Sequence, residues 1–328
     1  MTRRARARRA AVTVALLAAT ATTLATGCTH QGAQDDGRGH RRSQSPTPTE
    51  QPSSSASAGP LLAVKIDNVA AARPQTGLDA ADIVYAEQVE GGLSRLMAVY
   101  ATRLPKAVGP VRSARESDLE LLRQFDEPTL AFSGAQRKLL PLIDKAPLDA
   151  EPPGHASGAY YRGAGRAAPH NLYLHPDRLV PTAPGAGALT TGFRYGAAPA
   201  GGTPETSRTV RFPAARFSFT WSASRQGWLV AMDGTPDVMT DGEQLAPPTV
   251  VVQYVPVHSS RYHDVLGNPT PYTQTVGSGR AVVLRDGKAY DVTWSRPSAA
   301  GGTTFTAADG TPVNFARGQV WVVFAKAS

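Results

Sequence analysis

The sequence predicts two modules: an α/β N-terminal module built on a mixed sheet with helices, followed by a β-rich C-terminal module. Three observations carry that expectation. Strand-like apolar runs alternate with helical periodicity between residues 61 and 143. Residues 146–207 are rich in Pro, Gly and Ala, which marks loops. From Arg208 onward the helical period gives way to strand-like runs, two of them joined by the hairpin dipeptide Asp286-Gly287.

The chain opens with Arg3, Arg4, Arg6, Arg8 and Arg9, continues with an apolar run over about 10–25, and reaches Ala25-Thr26-Gly27-Cys28. A basic start, a short apolar stretch and small residues before a processing point predict a lipoprotein signal over 1–28 that ends at a lipidated Cys28. Leu24 stands one place further upstream than the usual lipobox pattern, and Arg8-Arg9 leaves twin-arginine export open beside the general secretory route. The apolar run is too short and too rich in Ala and Thr for a membrane span. Attachment is therefore expected through lipid, on the extracytoplasmic face of the cell membrane. Cys28 is the single cysteine. Once acylated, it leaves no thiol for disulfides, thiolate catalysis or a Cys-type metal site.

The formal net charge is +8, from 34 Lys and Arg against 26 Asp and Glu. Residues 1–27 contain five of the basic residues and none of the acidic ones, so the processed chain carries 29 against 26, a net +3. The basicity belongs largely to the signal, and nucleic acid is not an expected partner. Residues 29–60, ending in SQSPTPTEQPSSSASAGP, have too few apolar side chains to offset the entropy of ordering and read as a disordered tether.

The folded body divides into 61–207 and 208–328. In the first part, 61–66 is an apolar strand ending in Asp67-Asn68, and 81–89 and 93–102 are strands joined through Glu90-Gly91-Gly92. A helix follows with Leu119, Leu122 and Phe125 on one face, then a strand at 129–132 and a helix at 135–143. In the second part, strands are expected at 217–221, 228–232, 249–255, 279–285, 288–294 and 319–324.

The stretch KAVGPVRSARESDLELLRQ, residues 106–124, organises the candidate site. Ser113 with Glu116 three residues on reads as a capping box, which puts Arg112 just outside the helix and Arg115 in its first turn. Two guanidinium groups at a helix start call for negative charge. Internal partners on offer are Asp67, Asp82, Glu87, Glu90 and Asp118; an external phosphate or carboxylate is the alternative.

IDN at 66–68, ARPQTGLDAADIVYAE at 72–87, EGGLSR at 90–95, GPVRSAR at 109–115 and PHNLY at 169–173 resemble the YerB family of bacterial lipoproteins. VGSGRAVVLRDGKAYDVTW at 276–294 and DGTPVNFARGQVWVVF at 309–324 resemble its C-terminal part. The resemblance implies a two-part extracytoplasmic lipoprotein and supplies no activity.

The candidate ligand-binding set is Asp67, Asn68, Arg73, Gln75, Asp82, Glu87, Glu90, Arg95, Arg112, Ser113, Arg115, His170 and Asn171. Its bland alternative is an ion-pair network that fixes loops on the sheet. Envelope phosphotransferases of the LytR–CpsA–Psr type also place arginines and aspartates at strand ends to grip a pyrophosphate. Asp67, Arg73, Asp82 and Arg112 would be rough counterparts, a likeness of arrangement and not of spacing. No catalytic residue is assigned. His155, His170, His175, His258 and His263 are scattered without a ligand motif, so neither metal nor cofactor is expected. Ser113 and Ser133 lack a nucleophile elbow. Trp228, Trp294 and Trp321 read as core before they read as sugar platforms. Three functions stay open: a protein binding an anionic envelope ligand, an envelope enzyme acting on phosphate- or carboxylate-bearing glycan precursors, and a protein-binding envelope scaffold.

Overall fold

The computed structural model describes residues 59–240, 242–264 and 266–328; the expected signal, Cys28 and all but the last two tether residues lie outside them. The first part contains β1 (Leu62–Asp67), β2 (Ile83–Gln88), β3 (Ser94–Tyr100), α1 (Glu116–Leu122), β4 (Thr129–Ala131), α2 (Leu140–Ile143), β5 (Asp149–Glu151), β6 (Tyr160–Arg162) and β7 (Leu172–Leu174). A strand-rich second part follows: β8 (Thr203–Pro204), β9 (Ser207–Arg211), β10 (Arg216–Ser222), β11 (Gly227–Met232), β12 (Thr235–Pro236), β13 (Thr249–Val255), β14 (Val257–His263) and β15 (Pro269–Thr273). It closes with β16 (Gly277–Arg285), β17 (Lys288–Arg296), β18 (Thr304–Thr306) and β19 (Val320–Lys326). A mixed sheet with few helices, then a strand-rich region, is the predicted class.

One 11-stranded sheet runs β18-β17-β16-β13-β19-β2-β3-β1-β4-β5, with β8 also on β17. The last strand, β19, lies parallel between β13 and β2, so the sheet continues across residues 207 and 208. The near-continuous apolar run of β1 follows from burial on both faces. Leu62, Val64 and Ile66 enter a core with Phe217, Phe219 and Trp228 of the smaller β9–β12 sheet. Leu61 and Ala63 point the other way, into a core with Leu121 and Leu122 of α1. Trp228, Trp294 and Trp321 are fully buried, as core residues should be.

Three local expectations need correction. The helix predicted over 135–143 is confined to Leu140–Ile143, because Pro141 has no N–H to donate and is tolerated only in a first helical turn. Residues 146–207 are not all loop: β5 extends the large sheet and β6 pairs with β7. The cap of α1 is not Ser113. Arg115 is the N-cap residue, and Asp118 accepts its backbone N–H at 2.7 Å. The helix therefore starts at Glu116 and spans only seven residues. Among the described residues no helix is long and apolar enough to cross a membrane.

Candidate functional site

Strand alternation puts Lys65 and Asp67 on the same face of β1 as Ala63, the face that α1 covers. Register sets Arg95 of β3 opposite both Asp67 and Glu87. The 108–112 segment is then laid across the end of β1. Arg112 N–H donates to Lys65 C=O, Asp67 N–H to Pro110 C=O, and Val111 N–H to Leu172 C=O. Gly109 permits this crossing: its φ is +155°, and a Cβ there would lie 2.9 Å from the Leu172 carbonyl oxygen. The GPVRSAR and PHNLY stretches thus meet at the strand end, about 60 residues apart in sequence.

The charges sort into three groups. Deepest is Lys65, wholly buried, bonded to Glu87 and lying 2.7 Å from Asp118 Oδ1. Burial pushes the Glu87 carboxyl up to about 7; Lys65 opposes that shift and Asp118 adds to it. Glu87 and Asp118 therefore partner a lysine instead of the arginines.

Above them is Asp67, whose Oδ2 lies 2.8 Å from His170 Nδ1 and 3.1 Å from Arg112 Nε. The Arg112 contact is an ion pair without hydrogen-bond geometry, since Nε finds no hydrogen-bond partner. Arg115 pairs with Glu90 at 2.6 Å, and Glu90 also accepts from Thr270 Oγ1 at 2.6 Å. Burial pushes the Glu90 carboxyl up, but Arg115 and Thr270 more than offset it, leaving it below its ordinary value.

The third group is Arg95 alone. Its Nη1 donates to Ser113 C=O at 3.1 Å, and among the described residues it has no ion pair. Burial, then repulsion from Arg115 and Arg112, brings its pKa down to about 10 against the attraction of Glu90 and Asp67, so it stays a cation at neutral pH.

These side chains line a cavity of about 390 Å³ with Asp67, Glu90, Arg95, Arg112, Ser113, Arg115 and Glu116 on one side and Tyr262, His263, Asp264 and Thr270 on the other. The second wall belongs to the β14–β15 ribbon, which Glu120 of α1 fastens by accepting from Tyr272 Oη at 2.7 Å and Thr275 N–H at 2.7 Å. Four carboxylates, Asp67, Glu90, Glu116 and Asp264, share this lining with three guanidinium groups. Asp67 and Glu90 are already engaged, and Asp264 is wrapped by Asn268 and the Leu266 N–H. A second, wider recess of about 620 Å³ shares Arg112 and Ser113, with Ser133, Tyr160 and Arg162 on its far side.

Other expected site residues serve elsewhere. Arg73 turns away to Asp233 at 2.7 Å and to the Met232 carbonyl, fastening the β11–β12 hairpin. Asn68 and Gln75 are buried and bond to each other at 2.8 Å, holding the backbone beyond β1. Asn171 bonds to Gly163, Arg166 and Arg162 within the β6–β7 loop. Asp82 accepts the Ala101 and Thr102 N–H groups at the far end of β3. It stands five residues from Glu87 along the chain, about 17 Å away. Asp67, Arg73, Asp82 and Arg112 therefore do not form one cluster, and the phosphotransferase-like arrangement is not built. Sequence reasoning missed Lys65, hidden in an apolar strand, and the β14–β15 wall, far away in the chain.

A mixed sheet whose two parts share one edge-to-edge ladder, with an arginine-lined cavity at its strand ends, defines a two-part extended-sheet protein. Residues 46–188 match the family described as "Protein of unknown function (DUF3048) N-terminal domain", and residues 208–322 match its C-terminal domain. The chain belongs to that family. It is 46% identical over 65 residues to "Putative lipoprotein YerB" of Bacillus subtilis (strain 168), an alignment spanning 20% of each chain. The matched stretch is thus about a fifth of that relative's length. The fold is similar to the crystal structure of YerB protein from Bacillus subtilis, with a TM-score of 0.68 and 21% identity, over 82% of this chain and 91% of that one.

Proposed function

We propose that this chain is an exported protein, anchored by lipid at Cys28 to the outer face of the cell membrane, that binds an anionic envelope ligand in the Arg95 cavity. The observation that carries the ligand reading is Arg95 itself. A guanidinium that lines a cavity, is repelled by two neighbouring arginines, and meets Glu90 and Asp67 only at longer range than a direct ion pair gains most from an anion supplied from outside. The terminal nitrogens of Arg112, which also have no hydrogen-bond partner among the described residues, complete a two-pronged donor set. The anchor reading rests on the signal-like start and on the name of the Bacillus relative.

Calorimetric titration of residues 59–328 with pyrophosphate tests the ligand reading. Saturable binding that weakens at least tenfold in Arg95→Gln supports it, as expected for one lost charged hydrogen bond. No binding, or stabilisation by spermidine in its place through Glu116 and Asp264, would overturn it. For the anchor, mass spectrometry of the membrane-purified protein should find a diacylglyceryl group on Cys28, and Cys28→Ser should release the protein or leave it unprocessed. An unmodified N-terminus at another residue refutes the anchor.

A further inference from the structure

Resting on that reading, we propose that the cavity takes an amphiphile, a small anionic head on Arg95 and Arg112 with a hydrocarbon chain that leaves over a leucine rim.

The rim is the independent observation. Among the described residues four large hydrophobic side chains are exposed: Leu93 at 39%, Leu140 at 37%, Tyr161 at 37% and Leu266 at 83%. Leu93 and Leu266 both line the Arg95 cavity. Leu140 and Tyr161 are not among its lining residues. Isolated exposed leucines are ordinary, but two of them on the lining of one charged cavity are not what a solvated rim requires.

A fully hydrated anion such as free phosphate makes no use of leucines. A bare hydrocarbon makes no use of an unpaired guanidinium. A molecule carrying both satisfies both halves of the lining, and its chain would shield the head from water, strengthening the charged hydrogen bonds. The same chemistry is found in a membrane lipid and in a soluble lipid-linked intermediate, and soluble probes separate head recognition from membrane contact.

The experiment titrates residues 59–328 with ethyl, butyl, octyl and dodecyl phosphate below micelle-forming concentrations, with dodecyltrimethylammonium as a control of opposite charge. Affinity should rise by about two- to fourfold per methylene over the early part of the series. Arg95→Gln should weaken every member at least tenfold. The exposed-residue variants Leu93→Gln and Leu266→Gln should leave ethyl phosphate binding unchanged while flattening the chain-length dependence. If ethyl phosphate binds and dodecyl phosphate binds no better, the amphiphile inference fails and the anion reading stands. If no member binds, both fall. If the ammonium control binds as well as the phosphate, or if the leucine variants weaken only adsorption to phospholipid vesicles, the rim is a membrane-contact surface and the inference is overturned.

Discussion

Lys65 Nζ lies 2.7 Å from Asp118 Oδ1, and neither side chain is exposed. Glu87, almost as deeply buried, is the lysine's second partner and also accepts from Ser117 Oγ at 3.0 Å. One cation between two carboxylates in a dry site favours retention of a proton on the carboxylate pair, in keeping with the raised pKa of Glu87. The cluster pins α1 to β1 and β2 directly beneath the arginine cavity.

Removing the lysine charge should therefore destabilise the whole body. Lys65→Met leaves two buried carboxylates without a cation and is expected to cost roughly 3–5 kcal/mol in urea unfolding. Adding Asp118→Asn should recover part of that loss. A Lys65→Met variant as stable as the parent would mean that the carboxylates are hydrated and that the cluster does not hold the helix.

Asp237 provides a pH prediction. It is buried, both carboxylate oxygens lack hydrogen-bond partners among the described residues, and burial pushes its pKa up to about 7, with Arg73 opposing. Between about pH 4 and 7 the folded chain holds a proton that the unfolded chain has released, so this group makes stability fall as pH rises. Asp237→Asn removes the effect. The variant should match the parent near pH 4 and exceed it by up to about 4 kcal/mol at pH 8. Parallel stability curves for the two proteins from pH 4 to 8 would show that Asp237 does not titrate in this window.

How far the sequence disclosed the fold depends on the range of each contact. The positions of β2, β3 and β17 could be read to within two residues from their apolar runs, because that pattern is local. The place of β19 could not: nothing within residues 320–326 says that β2, more than 230 positions earlier, is its parallel neighbour. The same holds for the site. Arg95, Arg112 and Arg115 line one cavity, but Arg73 and Asp82, equally charged and equally near strand ends, make their contacts elsewhere, with Asp233 and with the Ala101 N–H. Lys65 was missed because a single cation in LAVKID does not break an apolar strand reading, and its two partners lie 22 and 53 residues away.

The shared ladder also predicts how nicked protein behaves. The Pro/Gly-rich segment before Arg208, which includes Gly201 and Gly202 with positive φ and exposed side positions, should be the first protease-sensitive site. After a single cut there, the halves should stay together, because β19 pairs along Val320–Val323 with β2 while β13 flanks it on the other edge. Size-exclusion chromatography should show one peak at the uncut size until denaturant is added. First cleavage within 210–325, or spontaneous separation of the fragments, would contradict this.

Arg115 and Arg95 should respond oppositely to removal, and the contrast tests whether the cavity's charge is structural. Arg115 is the sole cation paired with Glu90 among the described residues, with both side chains about nine-tenths buried. Arg115→Ala leaves that carboxylate without a directly paired cation, with the Thr270 hydroxyl and its own backbone N–H, and should cost about 2–4 kcal/mol. Arg95 makes no such direct pair: Arg115 and Arg112 repel it, while Glu90 and Asp67 attract it from longer range. Replacing it with Gln keeps a donor for the Ser113 carbonyl and removes the repulsion, the longer-range attraction and the cost of burying the charge together, so unfolding stability should change by less than about 1 kcal/mol, or rise. Urea unfolding of the two variants, without ligand, decides the matter. If Arg95→Gln is destabilised as much as Arg115→Ala, the Arg95 charge is part of the internal network, and the cavity has no cation to offer an incoming anion.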